Sequence, residues 1–323
     1  MPDQSPSTVK TLFSYGFRPF FLFGALYAST SMLLWLAIYL GEAELLISLS
    51  PAQWHSHELI FGFAPAIIAG FLLTAVANWT GRKPIANGEL LFLFLLWIVG
   101  RIGFNLSAVF GIWLTALACC AFLIAIAAFV AREVRAAGNN RNLKIVAIIG
   151  LFAACQIGFF LEFAITEETT ISTRLALTLI TLLLGVIGGR IIPNFTKNWL
   201  KKQGATKLPI VFEQKDMQVL AATLAAMLTW SFLPNSVFAG TLLAIAAIAN
   251  VWRLSRWCGN QTIRSFILLV LHIGFGFIPL GLALLSLAPF GVTDIQTEAG
   301  IHAIFVGAMS TLMLGVMVRA TRG

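Results

Sequence analysis

Charge is what this chain has least of. Only 11% of its 323 residues are Asp, Glu, Lys or Arg, against roughly 25% in ordinary soluble domains, while 59% are hydrophobic. So few polar side chains cannot clothe a water-facing surface, and 27 Phe and 9 Trp deepen the deficit, which excludes a soluble single-core protein. Cysteine is scarce too. The four at 119, 120, 155 and 258 lie in or beside apolar runs without regular paired spacing, so no disulfide framework is expected. No phosphate-binding loop, nucleophile elbow, HExxH or dinucleotide fingerprint stands in a suitable context, which leaves hydrolase and nucleotide chemistry without support. The opening MPDQSPSTVKTLFSYGFRPFF is polar before an apolar run that continues for a full span without a small-residue cleavage site, so no removable signal peptide is expected.

What the chain has in abundance is the long apolar run. Stretches able to cross a hydrocarbon core of roughly 30 Å lie at 17–40, 54–78, 89–106, 107–131, 143–165, 174–192, 217–234, 236–252, 265–287 and 299–318. They predict an all-α polytopic integral membrane protein of about ten transmembrane helices, a single transmembrane domain over 1–323 with the lipid bilayer as its solvent. Threaded with the start inside, every basic residue except Arg101 and Arg174 falls on one face, among them Arg82, Arg132, Lys201, Arg253, Arg256 and Arg319. The opposite loops carry Glu42, Glu44, Glu167, Glu168 and Glu298. By the positive-inside rule the basic face, and with it both termini, is cytoplasmic. The formal charge of +8 is thereby accounted for, and no nucleic acid partner is needed.

A weak internal repeat runs through the spans. His57 is followed by Gly62 and Gly70, and His302 by Gly307 and Gly315, at matching spacings. Gly185 stands in LGVIGGR, which resembles LGVMVR at 314–319, and IGF recurs at 157–159 and 273–275. The common phase predicts parallel four-helix units over 1–142, 143–263 and 264–323, the third stopping after two helices.

All four histidines, His55, His57, His272 and His302, fall within or at the edge of a span. Coordinating groups at membrane depth usually face a cavity, a partner or a bound ion, so the four are the candidate ligands of haem or copper; the bland alternative for each is a bond to a neighbouring carbonyl. In WHSHELIFGF at 54–63, a turn of about 100° per residue puts His55 and Glu58 on one face and His57 about 200° from His55. The two rings then cannot grasp one ion unless the turn is unwound, which Pro51 permits. Glu58 suits orienting an imidazole or relaying protons, or else pairing with Arg101. Arg101 in VGRIGF and Glu162 in FLEFAI are candidates for the same supporting role, or for pairing with each other.

His302 begins its span on the outer side and can join His55 and His57 as a metal ligand if its span neighbours theirs. Met309 and Met313 follow it on the same helical face; thioethers suit copper(I), although such a stripe is more often packing. His272 lies nearer the cytoplasmic half, with Asn78, Trp79, Arg190 and Arg319 as its neighbours by depth. Arg190 and Arg319 suit haem propionates or another anion, or else snorkelling to phospholipid. Haem iron commonly takes an axial His, and with no CxxCH present a haem would be non-covalent. Cys119 and Cys120 suit packing better than a soft metal.

FSYGFRPFFL at 13–22, WHSHELIFGFAPAIIAGFLLTAVANWTGR at 54–82, GGRIIPNFT at 188–196 and IHAIFVGAMSTLMLGVMVRA at 301–320 together resemble the NnrS family over nearly the whole chain. The resemblance implies a multi-pass bacterial inner-membrane protein that contains haem and copper and is linked to denitrification and nitrosative stress. It further implies nitric oxide or an iron–nitrosyl species as ligand and an electron donor of unknown identity. Family members usually have about twelve spans, and the final ATRG resembles the start of a motif that continues with His-Thr-Gly-Arg. A different class, a membrane transporter or metal-delivery protein for a small solute or copper, is suggested by the repeats, the Gly-rich helices and the Met stripe.

Overall fold

The computed structural model describes residues 8–139, 142–291 and 297–322, with the backbone alone at 320–322. The side chains of the final ATRG, and Gly323 altogether, therefore lie outside what is described. Among those described, every regular element is helical. In chain order they are α1 (Thr8–Leu12), α2 (Phe17–Tyr39), α3 (Pro51–His57), a π-helical turn π1 (Glu58–Phe63), α4 (Ala64–Thr80), α5 (Asn87–Asn105), α6 (Ser107–Phe110), α7 (Ile112–Ala136) and α8 (Leu143–Thr166). They continue with α9 (Thr170–Lys202), α10 (Gln214–Phe232), α11 (Val237–Ser255), α12 (Phe266–Leu287), α13 (Thr297–His302), a second π-helical turn π2 (Ala303–Ser310) and α14 (Thr311–Arg322).

Nine described helices are long and apolar enough to cross a membrane, so the chain is a multi-pass membrane protein. The run expected at 217–234 is helical as α10, but it opens on Gln214, Lys215 and Asp216 and is not among the nine. The fourth span begins later than its hydropathy suggested. Ser107–Phe110 is a short separate turn, closed by Gly111 at φ 73°, a left-handed conformation that favours glycine, and the long helix starts at Ile112. The sixth reaches well beyond 174–192, through Pro193, to Lys202.

The chain divides into two compact units, 1–176 and 177–323, the boundary falling inside α9. In the first, α7 packs against α4, α5 and α8, and α2 lies along α4 and π1. The centre is aromatic: Trp54, Trp97, Phe20, Phe61, Phe104, Phe159 and Phe160 are fully buried. In the second, α11 packs between α10 and α12, and α12 carries α13, π2 and α14. Close helix approach there uses small residues, as expected where lipid offers no hydrophobic drive between helices. A Cβ on Gly300 would come within 2.7 Å of Leu285 Cγ and 3.0 Å of the Gly281 carbonyl.

Ion pairs tie helix ends together in both units. In the first, Arg132 grips Glu89 with two hydrogen bonds of 2.7 and 3.0 Å, and Glu133 accepts from Arg82 at 2.6 Å and Arg132 at 2.8 Å. In the second, Arg256 donates to Glu213 at 2.6 Å. Both pairs, Glu89 with Arg132 and Glu213 with Arg256, join residues 43 apart, an acid at the start of one helix and an arginine at the end of the next.

Candidate functional site

The site in the first unit begins with how α3 starts and ends. Ser50 caps it reciprocally with Gln53: Ser50 Oγ accepts from the Gln53 amide and Gln53 Oε1 from the Ser50 amide, with Pro51 at the first helical position, where its missing N–H costs nothing. Pro51 thus starts a regular turn and does not unwind it. Seven residues on, the helix widens into π1, where the Ala64 amide bonds to the Leu59 carbonyl five residues back. Pro65 supplies a reason: it lacks the N–H that an α-helix would direct at Phe61, and its ring would crowd that carbonyl. Single π-turns inside α-helices recur at functional sites.

His57 is the last residue before π1 and Glu58 the first within it, and both are fully buried. Glu58 Oε1 lies 2.9 Å from His57 Nδ1, so the ring donates through Nδ1–H and carries its lone pair at Nε2, which faces the amide nitrogen of buried Gln156 at 3.4 Å. The ring stacks on Phe104 with centroids 3.7 Å apart, and Phe61, Phe159 and Phe160 lie around it. Glu58 therefore orients His57, where helical phase had grouped it with His55. The same carboxylate oxygen accepts from Arg101, which resolves the reading of Arg101 in favour of Glu58 and against Glu162.

Arg101 reaches Glu58 because Gly62, one turn along, leaves it room: a Cβ there would collide with Arg101 Nη1. Trp97 donates to the buried Gly62 carbonyl at 2.9 Å, Asn105 to the Arg101 carbonyl at 2.8 Å, and Trp54 to Asn105 at 3.1 Å. Glu162 instead caps α9: its two oxygens accept the Ile171 and Ser172 amides at 2.9 and 2.8 Å. At a helix N-terminus, with its orphan N–H groups and positive dipole end, a carboxylate is well placed for that task.

Each of the other histidines has neighbours of its own. His55 is half-buried and stacks on Trp35 with centroids 4.4 Å apart, so it and His57 turn to different neighbours. His302 closes α13 immediately before π2, as His57 does before π1; it belongs to the second unit, and its Nδ1 lies 2.6 Å from the Glu298 carbonyl. That bond puts the proton on Nδ1 and the lone pair on Nε2 of an exposed ring. His272 is buried, with Nδ1 2.8 Å from the Leu268 carbonyl, Nε2 3.4 Å from that of Trp257, and its ring pressed on Gly259. Arg190 lies over Phe212 and Arg319 over Phe195. Met309 and Met313 are buried within the second unit. All four cysteines are free thiols, and Cys119 donates to the Gly100 carbonyl at 3.2 Å. Among the described residues, no three His, Cys, Asp or Glu side chains are grouped to hold a metal ion.

A family model described as NnrS protein matches residues 11–323. The chain belongs to the NnrS family. Membership supports a membrane protein related to the nitric oxide response. No curated protein and no solved structure matches the chain.

For this NnrS-family chain the fit to a haem or copper differs between histidines. An imidazole that is to hold haem iron needs a fixed tautomer and orientation, and His302, exposed and with Nδ1 bonded to the Glu298 carbonyl, has both. His57 has the carboxylate partner typical of metal-binding imidazoles, but its ring is enclosed by aromatics and Gln156. The Glu58 and Arg101 pair is built to hold a charge and a hydrogen-bond direction in a dry interior. Gln156 escaped the sequence reading, although a lone amide in the apolar run LFAACQIGFF was a usable signal. Arg253 was read as one charge among many on the basic face; it is fully buried on Asp216, at 2.7 Å, and only a search for acid and arginine at repeated separations would have singled it out.

Proposed function

We propose that the chain is a haem- and copper-binding protein of the bacterial inner membrane, with cytoplasmic termini, that acts in the response to nitric oxide and in denitrification through His-ligated metals. The observation that carries this reading is the placement of His302: it closes a helix directly before a π-turn, its ring is exposed, and its Nδ1 is bonded to the Glu298 carbonyl. Family membership supports the nitric oxide connection. When bound, haem iron supplies a site for nitric oxide and a one-electron couple. The residues of the chain do the rest. His302 would hold the iron through Nε2, its Nδ1–H donated to the Glu298 carbonyl fixing the ring and raising its basicity. Copper would draw on His302 or on His55, since Met309 and Met313 are buried and lie seven and eleven residues, roughly 10 and 16 Å of helix, beyond exposed His302. Glu58 holds the Nδ1 proton of His57 and Arg101 anchors that carboxylate, a short path on which a proton can move.

The test is an absorption spectrum with metal analysis of detergent-purified protein and its four single His→Ala variants. His302→Ala and His55→Ala are expected to lose most of one cofactor with membrane insertion intact. Unchanged metal content in both, or a fully metallated preparation lacking both a Soret band and copper, overturns the assignment.

A further inference from the structure

Arg253 is wholly buried near the C-terminal end of α11. Its Nε donates to Asp216 Oδ1 at 2.7 Å and its Nη1 to the Gly185 carbonyl at 2.9 Å. Its Nη2 has no acceptor and lies where a Cβ on Gly189 would collide with it. Three residues on, Arg256 gives its Nη2 to Glu213 at 2.6 Å and to Asp216 Oδ2 at 3.4 Å, while its buried Nη1 has no acceptor. The next residue, Trp257, is fully buried with an unpartnered indole N–H, its ring 5.5 Å from the Arg253 guanidinium carbon. All three orphan atoms are donors, and two guanidinium groups share one buried carboxylate.

Asp216 cannot meet this demand. Its Oδ1 is taken by Arg253, and its Oδ2 by Arg256 and by the Glu213 amide at 2.9 Å. A single water offers two lone pairs and brings two protons of its own, so it does not satisfy three donors. A phosphate group does: it presents several acceptor oxygens, carries the charge that guanidinium forks recognise, and tolerates an indole N–H beside them. Charge points the same way. Exposed Arg190 lies over the Phe212 ring at 5.1 Å, and Arg253 over that same ring at 5.7 Å, so three arginines stand against Asp216 and Glu213. The cluster sits where α11 ends, among the residues of the basic face, and basic pockets between transmembrane helices on that side bind lipid headgroups.

We propose that Arg253, Arg256 and Trp257 form a phosphate-binding site in the second unit, filled by an anionic lipid headgroup or by free phosphate. The experiment uses the full chain in phosphatidylcholine nanodiscs. One arm titrates inorganic phosphate; the other replaces part of the lipid with phosphatidylglycerol; thermal unfolding and native mass spectrometry are the readouts. At least one arm is expected to raise the melting temperature of the wild type and to leave a bound phosphate group in the mass spectrum; the arm that does so identifies the source. Trp257→Phe keeps an aromatic ring but removes the N–H along with the five-membered ring that carries it, and with Arg256→Lys it should weaken that response about 10-fold or more. Arg132→Lys, at the corresponding helix end of the first unit, should respond as the wild type. No rise in either arm, a rise matched by sodium chloride at equal ionic strength, or wild-type responses in both Trp257→Phe and Arg256→Lys overturns the proposal. Should Arg256→Lys fail to fold, Trp257→Phe decides alone.

Discussion

The two units each bury one arginine against one carboxylate in a glycine-cleared space, and they finish the job differently. In the first, the atoms left over around Arg101 are mixed: Glu58 Oε2 and Gln156 Oε1 accept, Arg101 Nε donates, and the Tyr27 hydroxyl can do either. Such a set can be closed by a bridging water or by small rearrangements among its own members. In the second, the leftovers around Arg253 are donors only. The first cluster can therefore be complete within the protein, whereas the second asks for something from outside. Burial and ion pairing alone do not separate a structural cluster from a binding site; the sign of the unmet hydrogen bonds does.

That contrast can be broken most directly by removing each arginine. Arg253→Met takes from Asp216 its 2.7 Å partner and from the Gly185 carbonyl its donor, leaving Asp216 with Arg256 at 3.4 Å and the Glu213 amide, and is expected to lower unfolding free energy by about 3 kcal/mol in detergent. Arg101→Met should cost less, about 2 kcal/mol, because it removes the hydrogen bond to Glu58 alone and Glu58 keeps His57 as a partner. Equal losses would show that the two carboxylates depend on their arginines alike. Gly62→Ala and Gly189→Ala each push a methyl into a guanidinium and should cost about 1–3 kcal/mol, measured by the same unfolding assay. The smallest effect belongs to Trp97→Phe, which leaves the Gly62 carbonyl without its indole donor at about 1 kcal/mol.

The helices were almost entirely legible, because a span must be apolar over its whole length to cross a bilayer. Boundaries slipped where local backbone chemistry, not hydropathy, decided them: Gly111 splits off Ser107–Phe110, and Thr170–Lys202 runs on through polar sequence. The histidines and Glu58 were visible as rare groups in apolar surroundings. Arg101 was named as a partner of Glu58, whereas Gln156 and the Phe104 ring beside His57 were not. Helical phase placed Glu58 on the face of His55, and the backbone stays α-helical through Glu58, so it is the direction of the side chain that brings the carboxylate to its neighbour His57. Arg101 and Gly62 meet across 39 positions of chain, a contact set by how α5 lies on π1 and not by any local pattern. Arg253 looked like a topological charge because its type and location fit that role completely; only its burial tells otherwise.

A π-turn holds one residue more than the α-helical turn it interrupts, and can be viewed as an insertion kept in place. Deleting one residue between Glu58 and Phe63, together with Pro65→Ala to restore the missing N–H, would let the helix close into regular α form. Everything before it would then rotate by about 100° and shift by about 1.5 Å relative to everything after it. His55 and His57 would change neighbours without either being touched, and the same holds for His302 and the turn that follows it. In this chain the direction in which a histidine points is set by how many residues follow it, as much as by which ones.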